Sequence, residues 1–200
     1  MKSPRSLLIS TLLAVGLTAT AARAASPWSV RIATTYLQTV DGSTNAAVPV
    51  NIDDKFIPEF DVSYAFTPHW SADLVLTVPQ EQHVRSAGAS LGTFQHLPPT
   101  LLAKYTINPD SKLRFYVGAG VNFTLIFNEK LGGGTLKLDD YSVGPAGQVG
   151  CDYTISEHWS LNLDVKRAML RTDVTTTAGV KVTELHLDPW LYSVGLRYQF

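Results

Sequence analysis

Apolar and polar residues alternate with a period of two through most of this chain, and no other feature constrains its fold as tightly. Successive side chains of a strand point to opposite faces, so the pattern marks strands with one apolar face. Trp28, Val30, Ile32, Thr34 and Tyr36 alternate with Ser29, Arg31, Ala33 and Thr35. Phe56, Pro58, Phe60, Val62, Tyr64 and Phe66 alternate with Ile57, Glu59, Asp61, Ser63 and Ala65; Trp70, Ala72, Leu74, Leu76 and Val78 alternate with Ser71, Asp73, Val75 and Thr77. A weaker run sets Leu101, Ala103, Tyr105 and Ile107 against Thr100, Leu102, Lys104 and Thr106. The clearest sets Leu113, Phe115, Val117, Ala119, Val121, Phe123, Leu125 and Phe127 against Arg114, Tyr116, Gly118, Gly120, Asn122 and Thr124. Runs over 141–154, 159–171 and 188–200 bring the number to eight.

The connectors sort into two kinds. Thr67-Pro68-His69, Asn108-Pro109-Asp110-Ser111 and Ile155-Ser156-Glu157-His158 are short turns, whereas residues 38–55, 79–97, 128–140 and 172–187 read as long polar loops. Short turns at one end and long loops at the other are the pattern of outer-membrane barrels. The expected fold is therefore all-β: an eight-stranded antiparallel transmembrane β-barrel. An eight-stranded barrel is only wide enough inside for side chains, so bulky aromatics belong outside, in rows at the lipid interfaces. All four tryptophans, Trp28, Trp70, Trp159 and Trp190, share the apolar parity with Tyr64, Phe66, Tyr105, Phe115, Tyr153, Tyr198 and Phe200. That parity is expected to face lipid, with Cys151 on it in the sixth strand.

Composition excludes several other classes. At 200 residues, 45% hydrophobic, 16% charged and net charge −1, the chain is neither a basic nucleic-acid binder nor disordered. A mean hydropathy of +0.06 is too low for a bundle of transmembrane helices, each of which needs about 20 apolar residues. A single cysteine excludes an intrachain disulfide and any Cys-based zinc site. Lys2 and Arg5, an apolar core from Leu7 to Leu17, and Ala22-Arg23-Ala24 form the three parts of a secretory signal peptide. Residues 1–24 are expected to be removed, leaving residues 25–200 as the barrel. The mature chain then carries 13 basic and 17 acidic residues and works outside the cytoplasm.

On the inward parity Arg31, Lys104, Arg114, Lys166 and Arg197 face Glu59, Asp61, Asp73, Asp152 and Asp164. Five cations against five anions are expected to neutralise one another, because a buried unpaired charge is costly. Toward the long loops the same parity carries Leu37, Ile57, Val75, Leu102, Ile126, Ala146, Leu170 and Leu191. An apolar upper lumen over a charged plug suits a hydrophobic molecule that arrives from outside and leaves sideways through the wall. The same residues also fit a barrel whose Leu and Ile merely fill space.

A family likeness bears on that choice. Leu91-Gly92-Thr93-Phe94-Gln95-His96-Leu97-Pro98-Pro99-Thr100-Leu101, Tyr116-Val117-Gly118-Ala119-Gly120-Val121-Asn122-Phe123-Thr124, Gly144-Pro145-Ala146 and Asp188-Pro189-Trp190 resemble, in order and spacing, the outer membrane protein W (OmpW) family. The resemblance covers essentially the whole mature chain. It implies an eight-stranded barrel with a hydrophobic lumen, in a family that includes relatives assisting alkane and aromatic uptake, and so favours passive uptake of small hydrophobic molecules. The terminal Phe200 on an alternating strand resembles the signal read by the outer-membrane insertion machinery. Residues 41–54 and 79–90 match no motif, and Cys151 stands where the family commonly has another small or apolar residue.

Other constellations carry no chemistry of their own. His69 and His158 precede Trp70 and Trp159 in short turns and are expected beside the aromatic row. His83, His96 and His186 lie in or beside long loops; three imidazoles suffice for zinc or copper, but nothing fixes their convergence, and no metal or cofactor is assigned. Ser156, Glu157 and His158 share one turn and diverge, no inward strand position is read as carrying His, and no enzyme is expected. Arg167 and Arg171 interrupt the lipid-facing parity, through contact with lipopolysaccharide phosphates at the rim or through a β-bulge that shifts register. The expected partners are outer-membrane lipids and lipopolysaccharide, small hydrophobic solutes and the insertion machinery, with no nucleic acid; a monomer is expected. The competing readings are a surface barrel whose loops serve adhesion, stress resistance or phage binding, and a lipid-modifying barrel enzyme.

Overall fold

A computed structural model describes residues 26–39, 42–43, 50–86 and 88–200. The expected signal peptide, residues 1–24, lies outside the described residues. Eight strands form the wall: β1 (Trp28–Gln38), β2 (Lys55–Ala65), β3 (Trp70–Thr77), β4 (Thr100–Thr106), β5 (Leu113–Leu131), β6 (Tyr141–Thr154), β7 (Trp159–Ala168) and β8 (Trp190–Gln199). Each pairs antiparallel with its neighbours in the chain. β8 pairs with β1 from Ser29↔Gln199 to Gln38↔Trp190, which closes the eight strands of the wall into a barrel. The β4–β5 contact explains one glycine of the wall: a Cβ on Gly120 would lie 1.9 Å from the Leu101 carbonyl oxygen, so only glycine lets the two backbones approach there.

Parity decides what each side chain meets. In β1, Ser29, Arg31, Ala33, Thr35 and Leu37 are buried, while Trp28 and Ile32 are exposed, Ile32 by 66%. The same alternation exposes Phe60, Leu74, Val121, Val149, Leu163 and Val194 along the outside. An apolar belt of this extent is unsuited to water and matches hydrocarbon. Aromatic rings border it. At the short-turn end Trp28 meets Tyr64 at 4.8 Å, Trp70 meets Tyr105 at 5.0 Å and Trp159 meets Tyr198 at 4.9 Å, all edge to face. At the other end Tyr36 packs on Phe56 at 5.1 Å and Phe123 on Tyr141 at 6.0 Å. From Trp28 to Tyr36 a tilted strand climbs roughly 20 Å, close to the height of the apolar band in such barrels.

The long connectors depart from the sequence reading. Residues 79–97 and 172–187, expected as loops, instead carry hairpins: Gln80–Ser86 pairs with Ala89–Leu97, and Arg171–Thr176 with Lys181–His186. β5 runs past Phe127 to Leu131, and short strands Val50–Ile52 and Leu136–Leu138 complete a rim above the outer aromatic row. The physical reason is a change of solvent. Below the row the outside meets lipid and is apolar; above it the outside meets water, so the polarity of the alternation reverses. Gln80, Gln82 and Val84 are buried while Glu81, His83 and Arg85 are exposed, a strand that composition disguises as a polar loop. The inner faces of the rim meet in an apolar cap that includes Ile52, Val84, Phe94, Ile126, Leu131, Leu138, Val174 and Leu185.

Candidate functional site

The lumen is built in three storeys. The lowest is a hydrogen-bonded ion network. Arg31 is wholly buried and binds Glu59 and Asp61 on the neighbouring β2, with Asp164 of β7 at 3.7 Å. Lys166 Nζ lies 2.7 Å from both Glu59 Oε1 and Asp164 Oδ1. Lys104 meets Asp73 at 2.7 Å, and Arg197 meets Asp152 at 3.3 Å and donates to Ser63 Oγ at 2.8 Å. Nine of the ten charges named from the sequence therefore join ion pairs. Arg114 makes none among the described residues; it donates to Ser160 Oγ at 3.0 Å.

Neutral groups link the pairs. Asn162 Nδ2 donates to Asp152 Oδ1 at 2.7 Å and to Tyr116 Oη at 2.9 Å, while its carbonyl oxygen accepts from Arg31. Tyr116 Oη in turn donates to Asp164 at 3.3 Å. Counting charges missed Asn162 and Tyr116, although both stand on the inward parity. The network crosses the lower lumen and ties β1 and β2 to β7.

The middle storey is a cavity of about 50 Å³ lined by Leu37, Ile57, Val75, Leu102, Ala146, Leu170 and Leu191. These are seven of the eight apolar residues picked from parity. The eighth, Ile126, is buried one level higher in the cap. The floor of the cavity is Glu59 and Lys166; Thr77, Gln80, His96, Pro98, Thr100 and Asn122 add polar and proline positions on one side. The top storey is the apolar cap, which meets the cavity at Leu170. A cavity of about 150 Å³ is what benzene needs in a dry protein interior. The space is therefore a closed form, and an apolar guest must displace cap side chains.

The wall beside the cavity is interrupted. β3 pairs with β4 only up to Val75↔Thr100, and pairing resumes above at Gln80↔His96. Between these rungs stand Pro79, Pro98 and Pro99, which have no N–H to donate. Among the described residues no ladder rung holds this stretch, and Thr77, Gln80 and Pro98 line the cavity from it. The gap lies at the upper edge of the apolar belt, where Val78 is half exposed.

His96 corrects the sequence reading. No inward histidine was expected, yet His96 on the Ala89–Leu97 strand is buried to 4% exposure and faces the cavity, its ring 5.9 Å from the wholly buried Phe94. The reading failed because the strand was taken for a loop: Phe94-Gln95-His96-Leu97 shows no apolar–polar alternation, and only the structure shows Phe94 and His96 buried between half-buried Gln95 and Leu97. His96 pairs across to Ile126, beyond the outer aromatic row, and burial pushes its imidazole down to about 4, so the ring is neutral. Neither ring nitrogen has a protein partner among the described residues.

The remaining histidines hold structure. His69 Nδ1 lies 2.7 Å from the Thr106 carbonyl and the ring stacks on Tyr105; His158 Nδ1 lies 2.9 Å from the Gln199 carbonyl beside Tyr198. No cluster of three metal-ligating side chains occurs among the described residues. Arg167 and Arg171 keep the outward parity, since buried Ala168 and Leu170 alternate with them, so no bulge shifts this register. Arg167 lies over the Trp190 ring at 5.0 Å.

Comparison with known proteins places this geometry. The OmpW family model matches residues 23–200. The chain is 36% identical over 184 residues to the uncharacterized outer-membrane protein y4mB of Sinorhizobium fredii, covering 88% of this chain and 80% of that one. It is 26% identical over 193 residues to the dibenzothiophene metabolism operon protein DoxH of a Pseudomonas species, covering 88% and 89%. The crystal structure of the outer membrane protein OprG from Pseudomonas aeruginosa superposes with a TM-score of 0.78 at 28% identity, covering 88% of this chain and 97% of that one.

Proposed function

The chain belongs to the OmpW family of outer-membrane barrels, and from that premise we propose that it gives small hydrophobic molecules passive uptake through its apolar upper lumen, with lateral exit into the membrane. The observation that carries this reading is the pairing of an apolar cavity with a proline-lined break in the wall, above a floor closed by ions. A solute that parts the cap meets Leu37, Leu102 and Leu191, finds the ion-paired Glu59 and Lys166 below, and has the gap at Pro98 and Pro99 beside it. Burying apolar surface is favourable by about 25 cal/mol per Å², so the cavity and the hydrocarbon beyond it both draw an apolar guest. The relative named for dibenzothiophene metabolism fits the same chemistry, an apolar aromatic compound.

In this reading the protein is a conduit and not an enzyme. It works as a monomer in contact with lipid and with lipopolysaccharide, whose phosphates the outward Arg167 and Arg171 meet, after residues 1–24 are removed and the insertion machinery has placed the barrel. The test is accumulation of a labelled apolar aromatic compound by cells with and without the protein, and with Leu102→Asp. The protein raises the initial rate and Leu102→Asp abolishes the gain, because an unpaired carboxylate in the cavity is costly. Equal rates in all three would defeat the channel.

A further inference from the structure

An imidazole at the edge of an apolar cavity, buried to 4% exposure and with neither nitrogen partnered by the described residues, is out of keeping with a passage for pure hydrocarbons. Buried polar groups in proteins are nearly always hydrogen-bonded, and each one left unpaired destabilises. A leucine or phenylalanine would fill the position without that penalty, and Phe94, two residues earlier on the same face, does so. His96 also sits on the first rung above the break in the wall, opposite Gln80, whose side-chain amide is occupied in donating to the Val78 carbonyl at 2.8 Å.

We propose that His96 is a specificity-determining residue which hydrogen-bonds the hydroxyl of an uncharged amphiphilic solute, such as a phenol or a medium-chain alcohol, while the apolar body occupies the leucine-lined cavity. The inference rests on the channel reading and narrows its substrate class. A neutral imidazole offers one N–H donor and one lone pair. A hydroxyl is both acceptor and donor and can pair with either nitrogen, whichever tautomer the ring adopts. A hydrocarbon satisfies neither. A carboxylate would have to shed its hydration in an apolar cavity whose floor cation, Lys166, is already paired with Glu59 at 2.7 Å. The position at the wall break gives the contact a second use: a solute held by its hydroxyl at the upper edge of the gap presents its apolar body to the hydrocarbon beside Pro98.

The experiment compares 4-fluorophenol with 4-fluorotoluene, which differ only in hydroxyl against methyl. Protein-dependent accumulation of each is measured in cells expressing wild type, His96→Leu or His96→Gln, with folding of each variant checked by heat-modified gel mobility. Wild type is expected to prefer the phenol by about threefold to tenfold, the range one net hydrogen bond supplies. His96→Leu loses the preference, read as the ratio of the two uptake rates, and His96→Gln retains part of it. In nitrogen-15 spectra of the purified wild-type barrel, the His96 ring resonances shift with 4-fluorophenol and stay in place with 4-fluorotoluene. Uptake of both compounds with no preference, or a preference that survives His96→Leu, overturns the role of His96 and leaves the channel standing. No protein-dependent uptake of either compound overturns both. If neither substituted barrel folds, the wild-type spectra decide: unmoved ring resonances overturn the proposal.

Discussion

Replacing Arg31 with methionine keeps most of the side-chain volume and removes the charge at the centre of the barrel floor. The structure says which partner suffers. Glu59 and Asp164 retain Lys166 at 2.7 Å, but Asp61 has no other cation within ion-pair distance among the described residues, and its side chain is only 3% exposed. Stranding one member of a buried pair typically costs 3–5 kcal/mol. Arg31→Met is therefore expected to destabilise the barrel by about 4 kcal/mol at pH 7. Adding Asp61→Asn should restore at least half, since the stranded charge is gone. The assay is urea unfolding in phospholipid bilayers, read by emission of the lipid-facing tryptophans, with gel mobility to count folded barrels. A single variant within about 1 kcal/mol of wild type, or a double variant no better than the single, would refute the claim that the floor is a charge-matched plug.

Three further outcomes follow from particular contacts. Gly120→Ala places a Cβ 1.9 Å from the Leu101 carbonyl, so β4 and β5 must separate; a loss above about 3 kcal/mol, or failure to form the heat-resistant band, is expected, and a wild-type unfolding midpoint would refute it. Pro98→Val with Pro99→Val supplies two backbone donors and lets the ladder close between Val75↔Thr100 and Gln80↔His96; uptake of an apolar probe should fall about tenfold, by about 1.4 kcal/mol in barrier, with stability unchanged or raised, and undiminished uptake would remove the lateral exit. His96 is pushed down to about 4 when folded, below the value of about 6.5 in an unfolded chain, so the unfolded state binds more protons between those values. Its stabilising contribution is complete above pH 6.5 and fades as pH falls toward 4, by about 3 kcal/mol in all; His96→Phe should lack that component, and parallel pH profiles for the two proteins would sink the assignment.

Much of the barrel was legible because lipid and lumen impose opposite demands on adjacent residues. Arg31 beside Ile32, or Asp164 beside Leu163, leaves one parity for each side, and the wall follows from repeating that choice. The rim was not legible for the same reason in reverse. Above the outer aromatic row the outside meets water, so Glu81, His83 and Arg85 replace lipid-facing residues and the strand reads as a loop. His96 was lost with it.

The sequence by itself determined the eight strands of the wall, the parity of their side chains and the inward position of the ten charges, because each depends on a local period and on the medium that each face must meet. Tertiary structure alone decided which charges pair, that Asn162 and Tyr116 join them, and that Arg114 stands apart, because pairing depends on register and tilt between strands far apart in the chain. It also decided that the upper lumen is a closed cavity under an apolar cap and beside a break in the wall. Those features arise where the rim hairpins fold over the barrel and where prolines on two different segments fall between the last rung of the wall and the first rung of the rim, and no local period encodes that meeting.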